Sequence, residues 1–288
     1  FTKALRVAGL KECIVREVAL DHGLRIDPAA LRECIEHDRK GGLNPWLVAA
    51  SAGTTDSGSV DPLNAIADVA QEFDVWMHVD AAYGGAFAVC EEGRRRLQGI
   101  ERSDSLVLDP HKGFFIPCGL GVVLVREGHK LYDAYHARGT YMQDVAADPE
   151  RSPCDYSAEL TRPSRALRLW LPLKMHGTAA FAAALEEKLL LARYFYDEVK
   201  KIPGIEVGPA PDLSVVTFRF VPEEGDADTV NRTLVEAISA DGRVFLASTR
   251  IDGKFVIRMA ILTYHSHLED VDLALQVIRE LIETVSSR

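Results

Sequence analysis

Short apolar runs alternate with amphipathic stretches along the first 130 residues of the chain. A helix is predicted to begin at Asp27 and Pro28, because Asp caps helix N-termini and Pro suits the first turn. Strands that alternate with helices predict a parallel or mixed sheet whose two faces are both covered. The predicted elements are strands over 12–18, 46–50, 75–79, 105–108 and 122–125, and helices from 28 to about 41 and over 62–73.

The second half of the chain follows a different pattern. Residues 132–160 are polar, contain two prolines and show no clean period, which predicts a long mobile loop. We therefore divide the chain into 1–168, a portion of a large α/β domain, and 169–288, a smaller α+β domain. The elements predicted after the loop are helices over 165–201, 227–240 and 268–286, strands over 215–220 and 255–260, and a weaker strand over 244–247.

Composition and charge exclude several classes of protein. The net charge of −10 argues against a nucleic-acid partner, because the chain cannot neutralise phosphates at scale. No stretch of about 18 uncharged apolar residues occurs, so no membrane span is predicted. The five cysteines form no C-x-x-C pair, which fits free thiols in a reducing cytoplasm and no metal site. The first residues are not a signal peptide and lack an initiator Met, so we expect the chain to begin inside a longer protein.

Two polar residues follow apolar runs in positions where ligands bind. Asp80 follows the predicted strand over 75–79, and the carboxyl edge of such a sheet is the usual ligand site. Its carboxylate suits a metal, a ribose or a protonated ring nitrogen, or else it caps the next turn. Lys112 follows the strand over 105–108 and is either an ordinary surface lysine or an amine nucleophile toward an aldehyde. Together, an acid for a pyridinium nitrogen and an amine for an aldehyde indicate pyridoxal 5'-phosphate (PLP).

The segments around these two residues carry a family resemblance. His-Val-Asp-Ala-Ala-Tyr at 78–83 and Asp-Pro-His-Lys at 109–112 resemble the group II PLP-dependent amino-acid decarboxylases, which include the aromatic-amino-acid, histidine, glutamate and cysteine-sulfinate enzymes. Weaker likenesses lie at 52–55, 139–142 and 255–260. The resemblance implies PLP fold type I (aspartate-aminotransferase-like), with a mostly parallel sheet in the large domain, and a homodimer.

The resemblance also implies roles for individual side chains. Lys112 would carry PLP as a Schiff base, and Asp80 would pair with the pyridine nitrogen and keep it protonated. Tyr141, in the 132–160 loop, would protonate the reacting carbon after CO2 leaves, or else it would only pack in the loop. Further residues implied at the cofactor are Ala82 under the ring, Thr55 near the ring substituents, and His111 and Asp109 near the phosphate.

Arg258 is a separate candidate because it lies in the predicted strand over 255–260, between two apolar residues. An arginine in that position needs an anionic partner. The partner is either the carboxylate of a substrate or an acidic side chain of the protein itself.

Departures from the family pattern limit the prediction of substrate. Gly113 stands where animal aromatic decarboxylases have Trp, and Gly84 replaces a common Ala, which together suggest a bacterial-type branch. Asp109 stands where Asn is common, and its charge would repel a phosphate unless something compensates it. The family's ring-stacking histidine, phosphate loop and dimer-forming segment are expected upstream of residue 1, so the isolated chain is expected to be inactive.

The predicted function is PLP-dependent α-decarboxylation of an L-amino acid to an amine and CO2. Aromatic substrates are slightly favoured, because residues 139–142 resemble that branch. The alternatives within the same fold are a decarboxylase of glutamate, aspartate or cysteine sulfinate, another PLP lyase, and an aldehyde synthase. The alternative outside enzymes is an inactive truncated homologue that acts as a dimerisation partner.

Overall fold

Two sheets form the framework of the structure. The computed structural model describes residues 2–136 and 152–286 of the chain. The strands of the first sheet are, in spatial order, β1 (Leu47–Ser51), β2 (Trp76–Asp80), β3 (Ser105–Leu108) and β4 (Val122–Val125). The first three run parallel and β4 runs antiparallel to β3, so the predicted mostly parallel sheet is confirmed.

Helices cover the first sheet because their apolar faces need burial. Helix α2 (Pro28–Lys40) begins as predicted, since the Asp27 side chain accepts a hydrogen bond from the Ala29 amide at 2.8 Å. Helix α3 (Leu63–Glu72) buries the apolar face that its period predicts, with Ile66 and Val69 at its centre. The other helices before residue 137 are α1 (Thr2–Val7), α4 (Glu91–Arg96), α5 (Pro110–Gly113) and α6 (Gly128–Tyr135).

The second sheet is antiparallel throughout and belongs to the C-terminal α+β part. Its strands are, in spatial order, β5 (Ile205–Val207), β6 (Val215–Phe220), β8 (Lys254–Ala260) and β7 (Ala247–Ile251). Three helices accompany it, α7 (Leu167–Val199), α8 (Ala227–Asp241) and α9 (Leu268–Ser286). Every residue of β6 is buried, and both α7 and α8 contact this strand.

Two predicted strands were wrong. Residues 12–18 form no strand: Ile14 is 58% exposed, and the isolated bridge that follows, between Leu20 and Ile26, involves none of these residues. A short apolar run that has no neighbouring strand to pair with therefore does not form a β-strand. The weaker strand predicted over 244–247 begins at Ala247 instead, because Phe245 is 82% exposed and β7 pairs with β8 across the turn at Asp252 and Gly253.

Helix α7 is shared between two clusters of buried side chains. Phe181, Leu185 and Leu189 belong to the cluster around the first sheet, whereas Leu191 and Phe195 belong to the cluster around the second. The boundary between the two buried clusters therefore lies inside one helix. The proposed domain boundary at 168/169 stays a prediction.

The same helix is kinked before it reaches those clusters. Gly177 has φ 73° and ψ 167°, a conformation that is essentially restricted to glycine. Residues on the N-terminal side of the kink therefore need not follow the direction of the buried part.

The segment predicted as a long loop over 132–160 starts later than expected. Helix α6 extends to Tyr135, and its C-cap His136 lies 2.9 Å from Asp155, measured from Nδ1 to Oδ1. Residues 153–156 form a short 3-10 helix. The centre of the loop, with Tyr141, lies outside the described residues, so the loop's mobility stays a prediction. Within the described ranges, no helix is both long and apolar enough to cross a membrane.

Candidate active site

Three chain segments meet at the carboxyl edge of the first sheet. β1, β2 and β3 are parallel neighbours, and Ser51 and Asp80 are paired in register, as are Asp80 and Val107. The segments that follow these strands therefore lie side by side. They carry most of the predicted site residues: Thr55 after β1, Asp80 and Ala82 at the end of β2, and Asp109, His111 and Lys112 after β3.

The segment after β1 is a tight turn held by hydroxyl groups. The Thr54 and Ser57 hydroxyls lie 2.8 Å apart, and the Ser57 and Ser59 hydroxyls lie 2.7 Å apart. A bridge between Ala52 and Val60 closes the turn. Thr55 projects from it as an exposed residue, so its side chain is available to a ligand.

The segment after β2 is tied to both of its neighbours by backbone hydrogen bonds. The Asp80 carbonyl accepts from Ala52 at 2.8 Å, and the Ala82 carbonyl accepts from the Asp109 amide at 3.3 Å. The Asp80 side chain is exposed and accepts one hydrogen bond, from the Ala82 amide at 3.1 Å. This contact is the turn-capping interaction expected as the alternative role, and it leaves the other carboxylate oxygen, Oδ2, without a described hydrogen bond.

The segment after β3 places two charged side chains in contact. Lys112 lies in the single-turn helix α5, and its amine is 3.0 Å from Asp109 Oδ2. His111 Nε2 lies 4.0 Å from the same carboxylate oxygen. Asp109, which the sequence predicted to be an unfavourable neighbour for a phosphate, thus pairs with the Lys112 ammonium, and this pair would break once Lys112 binds the aldehyde of a cofactor. The sequence reasoning did not anticipate this pair.

The side chains present fit a PLP cofactor. His111 Nδ1 is buried and has no hydrogen-bond partner within the described chain. Buried polar atoms are usually hydrogen-bonded, so this nitrogen is available to bind a polar group of a ligand. An amine, a carboxylate with a spare oxygen and this imidazole lie on neighbouring segments of one sheet edge. Two cavities of about 180 and 270 Å³ lie elsewhere, against β5–β8 and against α3, so the assignment depends on the side chains and not on an enclosed pocket.

Tyr83 joins this edge to the second sheet, a role that the sequence did not reveal. Its hydroxyl lies 2.7 Å from that of Ser214, which directly precedes β6. Burial raises the pKa of Tyr83 to about 12, and the Ser214 hydrogen bond and the Arg258 charge offset this only in part. The charge of Arg258 on β8 thus acts on Tyr83, which follows β2. The Arg258 Nε is buried without a hydrogen-bond partner, and this arginine makes no salt bridge within residues 2–136 and 152–286.

Comparison with known proteins decides the family. The family model described as the pyridoxal-dependent decarboxylase conserved domain matches residues 1–221 of the chain. The chain belongs to this family. An aromatic-L-amino-acid decarboxylase of Bacillus atrophaeus is 37% identical over 290 residues, which cover 99% of the chain and 60% of that protein. Tryptophan decarboxylase 1 of Oryza sativa subsp. japonica is 34% identical over 274 residues, 91% of the chain and 53% of that protein.

Solved structures of pyridoxal-dependent decarboxylases confirm the predicted fold class, PLP fold type I. The crystal structure of Oryza sativa TDC with PLP and tryptamine superimposes with a TM-score of 0.90 at 31% identity. The match covers 100% of the chain and 60% of that protein chain, so the chain spans about 60% of the length of this relative. The individual site residues stay predictions, and Tyr141 lies outside the described residues.

Proposed function

We propose that the protein is a PLP-dependent decarboxylase that converts an L-amino acid, with aromatic ones favoured, to the amine and CO2. The observation that carries this proposal is the placement of Asp80 and Lys112 at the carboxyl ends of the adjacent parallel strands β2 and β3. Membership of the pyridoxal-dependent decarboxylase family supports it, as do the names of the aromatic-amino-acid relatives.

Each side chain of the edge has a distinct task in this proposal. PLP, when bound, supplies a ring that accepts the electrons left by departing CO2. Lys112 would hold the aldehyde carbon covalently, after its amine leaves Asp109. Asp80 would keep a proton on the pyridine nitrogen, because a carboxylate at that atom favours the charged form. The small side chain of Ala82 would leave room for the ring, and Thr55 and His111 would donate hydrogen bonds to its polar groups.

Arg258 is proposed as the group that binds the substrate carboxylate. Its buried Nε without a partner supports this role over a structural salt bridge, since no acidic side chain within the described residues pairs with it. A planar guanidinium binds a carboxylate through two parallel hydrogen bonds, which would orient the bond that breaks.

Assembly and location are further parts of the proposal. A homodimer is supported by an exposed apolar face on the first part of α7, where spacings of three, four and eight residues align the side chains. A cytoplasmic location is supported by five free cysteines. The residues of the exposed face on α7 are Leu167, Trp170, Leu171 and Met175.

Tyr141 is proposed to protonate the reacting carbon.

Trapping of the cofactor tests the proposal directly. Borohydride reduction of the PLP-loaded protein, followed by peptide mapping, is expected to place the label on Lys112. Lys130 is a matched control, because it is similarly exposed and also lies three residues after its acidic partner, Glu127. A label on Lys130 equal to that on Lys112, or a label on another lysine alone, would overturn the assignment.

A further inference from the structure

Lys188 is buried to an unusual degree for a lysine. Its side chain is 0% exposed, and it lies on α7 where the two buried clusters meet. Lysine is almost never fully buried unless its ammonium is paired. Here Nζ contacts three acceptors: Glu187 Oε2 at 2.8 Å, the Ser266 carbonyl at 2.5 Å and, more distantly, the Tyr264 carbonyl at 3.4 Å. The ammonium is therefore satisfied by the chain itself and is not free for chemistry.

Two of these three partners, Tyr264 and Ser266, lie on the segment 261–267, the β8–α9 connection, which joins β8 to α9. Glu187 binds the same connection, since its Oε1 lies 2.8 Å from His267 Nδ1. Burial raises the pKa of the Glu187 carboxyl, but the hydrogen bonds from His267 and Lys188 outweigh it and leave the pKa below its usual value. Two successive residues of α7 thus hold the half of the connection that precedes α9, through Tyr264, Ser266 and His267.

The β8–α9 connection in turn touches the turn that carries Lys112. The Tyr264 ring packs edge-on against Phe115, with 5.6 Å between the ring centroids. Phe115 has φ 56°, and its amide donates to the Lys112 carbonyl at 3.3 Å. A positive φ is costly for a bulky residue and persists only where surrounding contacts impose it. The Tyr264 ring is one of the contacts that surround this strained residue.

We propose that Lys188 is a positioning residue for Lys112. It fixes the carbonyls of Tyr264 and Ser266, so that the Tyr264 ring holds Phe115 in its left-handed conformation and orders the turn behind the Lys112 amine. The contacts that carry this inference are independent of any ligand, whereas its importance for catalysis rests on the proposed function of Lys112.

Hydrogen exchange of the peptide 110–116 tests the positioning role without cofactor or turnover. Lys188→Met removes the ammonium at similar length, and Tyr264→Ala removes the ring from a residue that is 55% exposed, so the second variant tests the link even if the first folds poorly. Each is expected to speed exchange of this peptide about three- to tenfold, the range that loss of one aromatic edge contact implies. The double variant is expected to add little, because both changes break one chain of contacts.

Asn231→Ala is the matched control. Asn231 is also 0% exposed and also makes three hydrogen bonds in the C-terminal cluster, but none of these reaches the β8–α9 connection. Equal acceleration of peptide 110–116 in this control would show a general loss of stability and overturn the inference, as would unchanged exchange in Tyr264→Ala. The rate at which PLP is trapped on Lys112 is expected to fall in Lys188→Met and not in the control. If the unaltered protein shows no trapping at Lys112, the proposed function fails while the exchange result still stands.

Discussion

The buried amide of Asn231 offers a sharp test of what stabilises the C-terminal part. The pairing of β6 with β8 ends at Phe218, so the backbone groups of Phe220 on that side have no strand partner. The Asn231 side chain replaces one: its Oδ1 accepts from the Phe220 amide at 2.8 Å, and its Nδ2 donates to the Phe220 carbonyl at 2.7 Å. Nδ2 also donates to the Ala227 carbonyl at 2.7 Å, which anchors the side chain to the start of α8.

Asn231→Ala is expected to lower the free energy of unfolding by about 1.5–5.5 kcal/mol. The change leaves the buried amide and carbonyl of Phe220 unsatisfied, and each such group costs about 1–3 kcal/mol. The higher helix propensity of alanine offsets roughly 0.5 kcal/mol of this loss in the free energy of unfolding. The Ala227 carbonyl counts little, because it lies in the first turn of a helix whose backbone already binds it.

Thermal unfolding followed by circular dichroism measures the effect. A loss of this size is expected to lower Tm by roughly 2–9 °C in a protein of this length. Thr233→Ala on the same helix is the control, since its hydroxyl also binds a backbone carbonyl four residues earlier but is exposed. That change is expected to stay within about 0.5 kcal/mol. If the Asn231 variant loses less than about 1 kcal/mol, water or a backbone shift satisfies Phe220 and the reasoning from orphaned groups is refuted.

Three further outcomes are expected. Asp80→Asn should leave Tm nearly unchanged, because the side chain is exposed with one described hydrogen bond, and should cut amine production by the full-length enzyme severely; near-normal turnover would count against its role. Gly84→Ala should lower the free energy of unfolding by about 1–3 kcal/mol, since a Cβ there meets the Ala52 carbonyl and the Leu213 side chain, whereas Gly128→Ala, in open space, should not. Tyr141→Phe should lower the amine-to-aldehyde product ratio in air; an unchanged ratio and yield would assign Tyr141 to packing.

Local signals predicted the elements that depend on local physics. The Asp27 cap and the apolar period of α3 are each contained in a few successive residues, and the structure has both helices within a residue or two of the prediction. The run 12–18 failed because a strand needs a neighbour, which no local pattern supplies. The strand β7 was misplaced for the same reason: its register is set by pairing with β8.

The candidate site shows the same division. The placement of Asp80 and Lys112 on neighbouring segments could be predicted, because strand ends are visible in the sequence and parallel strands bring their ends together, whereas their roles stay predictions. The contact between Tyr83 and Ser214 joins residues 131 positions apart, so it depends on how the two sheets are placed. The pairing of Lys112 with Asp109 depends on the single turn of α5. This helix is too short to produce a recognisable periodic pattern of apolar residues in the sequence.

The sharing of α7 between two buried clusters constrains how this protein could be recombined with its relatives. A crossover within residues 181–199 would give a hybrid whose helix comes from two parents. Side chains of α7 from one parent would then pack against a cluster that contains residues of the other parent. Mismatched packing at such positions typically costs several kcal/mol in total. A functional chimera should therefore take α7 and the surfaces on both of its sides from a single parent. Crossover points inside this helix should be avoided, even though it lies between the two parts of the chain.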